Sequence, residues 1–84
     1  MTCKILSFDQ TISYENTISV TLPGSKGEFE ILPRHAEIFQ LLSAGKITIN
    51  LEGDKTKNYQ IQSGGCHFLD NILTIVLPSS AVSI

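Results

Sequence analysis

The sequence is poor in the residue types that build catalytic and metal centres. It has no tryptophan, one methionine, two histidines and two cysteines, and only 17% of its residues are charged. The cysteines, Cys3 and Cys66, lie far apart without a C-x-x-C spacing. This favours two buried free thiols in a reducing compartment, and leaves a disulfide or a metal site as the lesser alternative.

Charge of one sign is also scarce. The formal net charge is −2, and the six lysine and arginine residues are scattered along the chain. Nucleic-acid-binding domains concentrate basic residues on one surface to meet the phosphate backbone. We therefore expect no nucleic-acid partner.

Long hydrophobic runs are missing as well. The longest nearly apolar run, Ile72–Leu77, is far shorter than the roughly 20 residues that cross a bilayer as a helix. The N-terminus does not have the pattern of a signal peptide. We expect a soluble or peripheral protein that forms one small domain over residues 1–84, with little room for a deep cofactor cleft.

The remaining sequence has the texture of β-structure. Apolar and polar residues alternate over Ile18–Leu22 and Ile47–Glu52, which is the pattern of half-buried strands. Ile72–Leu77 is apolar on both faces apart from Thr74, so it is predicted to be a central strand buried on both sides. The predicted strands are Lys4–Phe8, Ile18–Leu22, Phe29–Leu32, Lys46–Leu51, Asn58–Gln62, Cys66–Leu69 and Ile72–Leu77, with Ile49, Ile61, Phe68 and Ile75 in the core.

Turn residues separate these runs at short intervals, which indicates an all-β sandwich or barrel. Pro23–Gly27 is predicted to be a loop, Glu52–Lys55 a hairpin connection and Asp70-Asn71 a tight turn. The uncharged tail Pro78–Ile84 is expected to fray.

One segment has a different period. Ile38, Leu41 and Leu42 are spaced as on one face of a helix, and Gly45 follows where a helix C-cap would lie. From periodicity alone, Ala36–Leu42 is predicted to be a short helix.

The sequence contains no recognisable catalytic or cofactor pattern. A zinc site built from Cys3, His35, Cys66 and His67 would lack the usual short ligand spacings. Ser63-Gly64-Gly65-Cys66 does not match the nucleophile elbow of a hydrolase, and its glycines indicate a bulge or a close backbone approach. Gly24–Gly27 lacks the spacing and the following helix of a phosphate loop. We predict no catalytic, metal or cofactor residue, and no cofactor.

A longer pattern is more specific than any of these motifs. The segment Leu22–Ala36 reads LPGSKGEFEILPRHA, Leu41–Gly45 precedes a strand, and Ser63–Gly65 precedes a closing hairpin. In this order the chain resembles the N-terminal β-sandwich domain of the F-type ATP synthase epsilon subunit. It departs from the family pattern at Glu30 and Arg34, where glycine is usual, and at Glu37, where proline is usual.

The resemblance implies a two-sheet β-sandwich of about 8–10 short strands, and it replaces the helix over Ala36–Leu42 with a strand. It implies a non-catalytic central-stalk (rotor) subunit that links the gamma subunit to the polar loops of the membrane c-ring for proton-driven ATP synthesis. Glu28 matches the family carboxylate at the c-ring, and His35 and Ser7 match positions that face gamma.

The resemblance also implies a peripheral location on the cytoplasmic face of a bacterial inner membrane, or on an organelle inner membrane. The family's C-terminal helical pair, with its ATP-contacting segment, has no counterpart in these 84 residues. We therefore expect no ATP site. The alternative is a free-standing β-sandwich module that binds another protein, which recovery with gamma and the c-ring would exclude.

Overall fold

The computed structural model describes all 84 residues and contains ten β-strands and no helix. In chain order the strands are β1 (Thr2–Leu6), β2 (Thr11–Tyr14), β3 (Thr17–Gly24), β4 (Gly27–Ile31), β5 (Ile38–Leu42), β6 (Gly45–Leu51), β7 (Lys55–Ile61), β8 (Gly64–Leu69), β9 (Ile72–Val76) and β10 (Val82–Ser83). The prediction of an all-β fold with short strands is confirmed.

One hydrogen-bonded sheet folds over on itself to make two layers. Its order is β10-β7-β6-β3-β5-β8-β9-β1-β2, and β4 pairs with β3. The fold-over lies where the end of β3 meets β5: Gly24 pairs with Leu42, and the Ser43 N–H donates to the Pro23 carbonyl oxygen at 2.8 Å. We call β10, β7, β6, β3 and β4 the first layer, and β5, β8, β9, β1 and β2 the second layer.

Both layers contribute to a single hydrophobic core of 15 buried residues. The first layer supplies Val20, Leu22, Ile31, Ile47, Ile49, Tyr59 and Ile61, and the second supplies Cys3, Ile5, Leu42, Cys66, Phe68, Leu73, Ile75 and Leu77. Burial of one large apolar side chain contributes about 1.5–3 kcal/mol. The four core residues predicted from the sequence are all among them.

A polar contact also joins the two layers. The hydroxyl groups of Tyr14, on β2, and Tyr59, on β7, are hydrogen-bonded to each other. Tyr59 is almost fully buried, and a buried hydroxyl without a partner would cost about 1–3 kcal/mol. The pair therefore ties the end of the second layer to the first.

Two predicted turns have the expected backbone geometry. Asp70 and Asn71, between β8 and β9, have φ angles of 51° and 62°, the left-handed conformation that these residue types tolerate best after glycine. Gly53 and Asp54, between β6 and β7, have φ angles of 81° and 58°. Both turns are confirmed.

Several predicted boundaries are wrong. The Pro23–Gly27 loop is shorter than expected, because Pro23 and Gly24 belong to β3, Gly27 begins β4 and only two residues form the turn. The helix suggested by periodicity over Ala36–Leu42 is replaced by β5, whose backbone pairs with β8. The tail does not simply fray: Val82–Ser83 pairs with β7. The sequence patterns also missed β2.

The prediction of two-sided burial for the last long strand is wrong in an informative way. β9 does lie between β8 and β1, and Leu73 and Ile75 are fully buried. Ile72 and Val76 point to the opposite face, where 38% and 53% of their surface is exposed. The outer face of the second layer therefore carries apolar side chains that no other part of the domain covers.

Candidate protein-interaction site

Glu28 lies on β4, the edge strand that pairs only with β3. It follows a tight hairpin whose Gly24 has no room for a side chain, since an added Cβ would lie 2.6 Å from the Gly27 carbonyl oxygen. Glu28 is exposed, stands opposite Pro23, and makes no ion pair or side-chain hydrogen bond within the domain. Its carboxylate is available to a partner.

His35 lies on the connection between β4 and β5. Its ring stands edge-on against buried Phe68, with ring centroids 6.1 Å apart. The preceding Arg34 has a φ of 65°, and its N–H donates to the Asn71 side-chain oxygen at 2.9 Å. A left-handed conformation costs a residue other than glycine about 1–2 kcal/mol, which explains in physical terms why glycine suits this position.

The structure brings Glu28 and His35 together. Both line a surface depression of about 310 Å³ between β4 and β5, with Phe29 and Ile38 among the other lining residues. Sequence reasoning assigned the two residues to different partners. Their shared depression means that one edge of the domain carries both.

Ser7 is not brought to the same place. It lies beyond the end of β1, in the turn before β2, and not within the first strand as predicted. Its hydroxyl donates to the Gln10 carbonyl oxygen at 3.1 Å and to the Asp9 carboxylate at 3.2 Å. The strand end before it pairs with Val76, whereas His35 lies near the opposite end of the second layer. The Ser7 hydroxyl is thus engaged in shaping its own turn.

Several exposed apolar side chains lie on the outer face of the second layer, which we call the docking face. Phe39 and Leu41 on β5 are 71% and 72% exposed, and Val76 on β9 is 53% exposed. Patches of large apolar side chains on small domains mark interaction surfaces. The sequence patterns did not single out Phe39, and they grouped Leu41 with Ile38 and Leu42 on one face of a predicted short helix.

A row of paired residues crosses the docking face. Phe39 is paired with His67, and His67 with Thr74. The rings of Phe39 and His67 stack with centroids 4.0 Å apart and an angle of 11° between their planes. The His67 Nε2 lies 2.9 Å from the Glu37 Oε2. The Phe39 ring is therefore held in one orientation although it is mostly exposed.

The outer face of the first layer has the opposite character. Its central side chains are mostly polar, and several of them bond to one another across the strands, while at the edge Val82 is 58% exposed. The contacts are Thr48 Oγ1 to Asn58 Oδ1 at 2.9 Å, Asn50 Nδ2 to Ser19 Oγ at 2.9 Å and Thr56 Oγ1 to Asn50 Oδ1 at 3.1 Å. The two outer faces thus differ, since the large exposed side chains Phe39 and Leu41 lie on that of the second layer.

The residues considered for a zinc site are on different sides of the second layer. Cys3 and Cys66 are free and buried in the core, whereas His67 lies on the docking face and is paired with Glu37. Burial, reinforced by the neighbouring Cys66 thiol, raises the pKa of Cys3 to about 12. Burial also raises the pKa of Cys66. Both thiols therefore remain protonated at neutral pH and serve as small apolar side chains.

Comparison with known proteins gives one consistent family. Residues 1–82 match the profile described as the β-sandwich domain of the ATP synthase delta/epsilon chain. The ATP synthase epsilon chain of Campylobacter hominis is 46% identical over 82 residues, covering 96% of this chain and 62% of that protein. The ATP synthase epsilon chain of Sulfurimonas denitrificans is 38% identical over 81 residues, with the same coverage of both chains.

Solved structures contain the same fold. A chain in the cryo-EM structure of the Euglena gracilis mitochondrial ATP synthase, containing OSCP, F1 and the c-ring, superposes with a TM-score of 0.88 at 26% identity, covering 96% of this chain and 51% of that one. A chain in the central stalk and c-ring structure of the Tetrahymena thermophila enzyme superposes with a TM-score of 0.79 at 11% identity, covering 93% of this chain and 63% of that chain, and this likeness shows the fold alone. The chain spans 62% of the length of the Campylobacter hominis relative.

No helix suited by length and hydropathy to crossing a bilayer occurs in the structure.

Proposed function

This chain belongs to the ATP synthase delta/epsilon β-sandwich family, and from that membership we propose that it is a non-catalytic central-stalk (rotor) subunit linking gamma to the c-ring. In this role, rotation of the ring during proton flow would be passed to the central shaft. We place the subunit at the membrane periphery, on the cytoplasmic face of a bacterial inner membrane, where it is held by the complex and does not insert. It would perform no chemistry of its own.

The observation that carries the proposal is the contrast between the two outer faces. A domain that works alone gains nothing from large apolar side chains on one face, because leaving apolar surface in water forgoes about 25 cal/mol per Å². Phe39, Leu41 and Val76 are more than half exposed. They become favourable once a partner covers them, and we assign this docking face to gamma.

Glu28 supports the second contact. Its free carboxylate stands on an edge strand beside the β3–β4 hairpin, where it can accept hydrogen bonds from the polar loops of the c-ring. His35, in the same depression, lies on the segment leading into β5, and its ring packs against Phe68 of the core. We keep His35 as a contact to gamma. Ser7 is retained as a candidate gamma contact through its backbone and turn, since its hydroxyl is already bonded.

The fold suits a part that carries torque. Its core is formed by side chains from both layers, and protein interiors packed to crystal-like density transmit strain with little compression. The Tyr14–Tyr59 hydrogen bond ties the layers together a second time. A subunit that passes rotation from the c-ring to gamma must not deform under load.

The experiment is a charge reversal with a matched control. Glu28→Lys is compared with Glu52→Lys, since Glu52 is also an exposed carboxylate and lies in the turn between β6 and β7. We expect Glu28→Lys to reduce the amount of c-ring that is recovered with the complex of gamma and this chain. Glu52→Lys should leave that amount unchanged. Both purified variants should unfold within about 0.5 kcal/mol of the parent chain, as surface substitutions usually do.

Two results would contradict the assignment. Equal c-ring capture by both variants would remove Glu28 from the c-ring contact. Unfolding of Glu28→Lys in isolation would make the residue structural. Failure of the parent chain to bind either gamma or the c-ring would favour a free-standing interaction module.

A further inference from the structure

Both histidines of the chain help to hold one connection, residues 32–37 between β4 and β5. His35 belongs to the connection, and its ring stands edge-on against Phe68 of β8. His67 belongs to β8, and its Nε2 lies 2.9 Å from the Oε2 of Glu37, the last residue of the connection. Side chains of both segments therefore attach the connection to β8.

The contact between Glu37 and His67 joins residues that are 30 positions apart in the chain. An ionised carboxylate only accepts hydrogen bonds, so the Nε2 of His67 carries the proton that it donates. The contact is open to water, since 33% of the His67 side chain and 51% of the Glu37 side chain are exposed. The His67 Nδ1 makes no hydrogen bond within the domain, so this atom can take up a second proton without the loss of a contact.

A second proton on His67 strengthens two contacts at once. The hydrogen bond to Glu37 becomes an ion pair between two charged groups. The Phe39 ring lies nearly parallel to the imidazole, with the centroids 4.0 Å apart, and the face of an aromatic ring attracts a cation. Glutamate is ionised above about pH 5, and histidine is the side chain that ordinarily changes charge between about pH 5 and pH 8. The contact therefore changes strength within this range.

Other charges lie farther from His67 along the sheet. The strands that flank β8, β5 and β9, contain no charged residue. Thr74 of β9 is paired with His67 and, on its other side, with Lys4 of β1. Two strand spacings, about 10 Å, separate Lys4 from His67, and salt screens exposed charges at that distance.

The connection and the β8–β9 turn contribute three more titratable or charged groups near β8. Arg34 and Asp70 are exposed and opposite in sign. His35 stands against Phe68, a residue of the core, and not on the outer face of β8. Glu37 is thus the charged group in direct contact with His67.

We propose that Glu37 and His67 form a proton-operated clasp that fastens the β4–β5 connection to β8. Below the pH at which His67 loses its second proton, the ion pair and the stacked Phe39 ring hold the connection in place. As the pH rises past that point, the charge of His67 is lost, and its contribution to stability is lost with it. The stiffness of the connection, which also carries His35, then depends on pH. The clasp requires no partner, and a proline at position 37, as is usual in the family, could not form it.

The test removes the charges while it keeps the size of the side chains. Glu37→Gln replaces the carboxylate with an amide, and His67→Gln introduces a polar side chain that cannot be protonated. The matched control is Glu15→Gln, because Glu15 is an exposed carboxylate in the β2–β3 turn and makes no ion pair. Melting temperatures of the full chain, of each single variant and of the double variant Glu37→Gln/His67→Gln are measured at pH 5.5 and pH 8.

At pH 5.5 the parent should melt about 1–5 °C above Glu37→Gln, which is the size expected for an exposed ion pair in a domain this small. At pH 8 the difference should shrink to less than about 1 °C. Glu15→Gln should stay within about 1 °C of the parent at both pH values. In the His67→Gln background, Glu37→Gln should have the same effect at both pH values.

Nuclear magnetic resonance of the parent provides a second measurement. The aromatic resonances of Phe39 should shift with pH, because the ring stacks on His67, and they should not shift in His67→Gln. A melting-temperature difference of equal size at pH 5.5 and pH 8 would overturn the clasp. A pH-dependent difference that persists in the His67→Gln background would overturn it as well. Neither measurement involves gamma or the c-ring, so these results leave the proposed rotor function untouched.

Discussion

Single side chains on the second layer divide into two groups according to the face they occupy. Cys66 and Phe68 point into the core, whereas His67, between them, points to the docking face. The alternation follows from the pleat of a strand, in which successive side chains lie on opposite faces. What sets this layer apart is that its outward-facing positions also include large apolar residues, such as Phe39 and Leu41.

The buried thiol of Cys3 gives a pH-dependent prediction. Burial raises its pKa from an ordinary value of 9.0 to about 12. The folded state therefore holds the proton more tightly than the unfolded state, and this contribution to stability is fully present below pH 9. It declines as the pH rises toward 12, by up to about 1.4 kcal/mol per pH unit for one proton.

The measurement is the melting temperature between pH 8 and pH 10.5 for the parent chain and for Cys3→Ala. The melting temperature of the parent should fall more steeply with rising pH than that of Cys3→Ala. The effects of the ionisable groups that both chains share cancel in this comparison. Parallel curves would show that Cys3 ionisation does not distinguish the folded from the unfolded state.

At the scale of strands, the glycine pair that begins β8 gives a sharp comparison. Gly64→Ala should destabilise the domain by about 1–3 kcal/mol, because its Cβ would crowd the Val76 backbone and Leu77. Gly65→Ala should change the free energy of unfolding by no more than about 0.5 kcal/mol. Urea midpoints of the two variants measure the difference. Equal destabilisation by both would mean that Gly65 is also required by internal packing.

The strands also show which elements can be predicted from the pattern of apolar and polar residues. The long alternating runs of β3 and β6 were predicted because one face of each is buried. β5 was obscured because Ile38, Leu41 and Leu42 are apolar for different reasons: Leu42 belongs to the core, whereas Leu41 is exposed. β10 is held by backbone pairing with β7. Because its side chains do not fill the core, its sequence shows no alternation of apolar and polar residues that would predict a strand.

The candidate site was predictable only in part. The resemblance picked out Glu28 and His35, but it could not place them in one depression, because the fold-over at Gly24 and Leu42 involves residues far apart in the sequence. The apolar positions of β9 were visible, yet the sequence does not distinguish a face buried by the domain from one left for a partner. Only the layer arrangement separates these two cases.

At the scale of the whole molecule, the domain consists of ten strands and no helix. Nucleotide phosphates are usually held by helix N-termini or by clustered backbone amides together with basic side chains. We predict that the 84-residue chain does not bind ATP. Calorimetric titration with ATP and magnesium should give no saturable heat at millimolar nucleotide, and saturable micromolar binding would contradict the prediction.

We propose that this one domain bridges gamma and the c-ring, and co-expression with gamma in a membrane that contains the c-ring tests this role. Native mass spectrometry of the purified assembly should show the chain and gamma in a one-to-one complex, recovered together with the c-ring. Omission of the chain should lower the recovery of gamma with the ring. Recovery of gamma and the ring in full without the chain, or of the chain free of both, would contradict the claim.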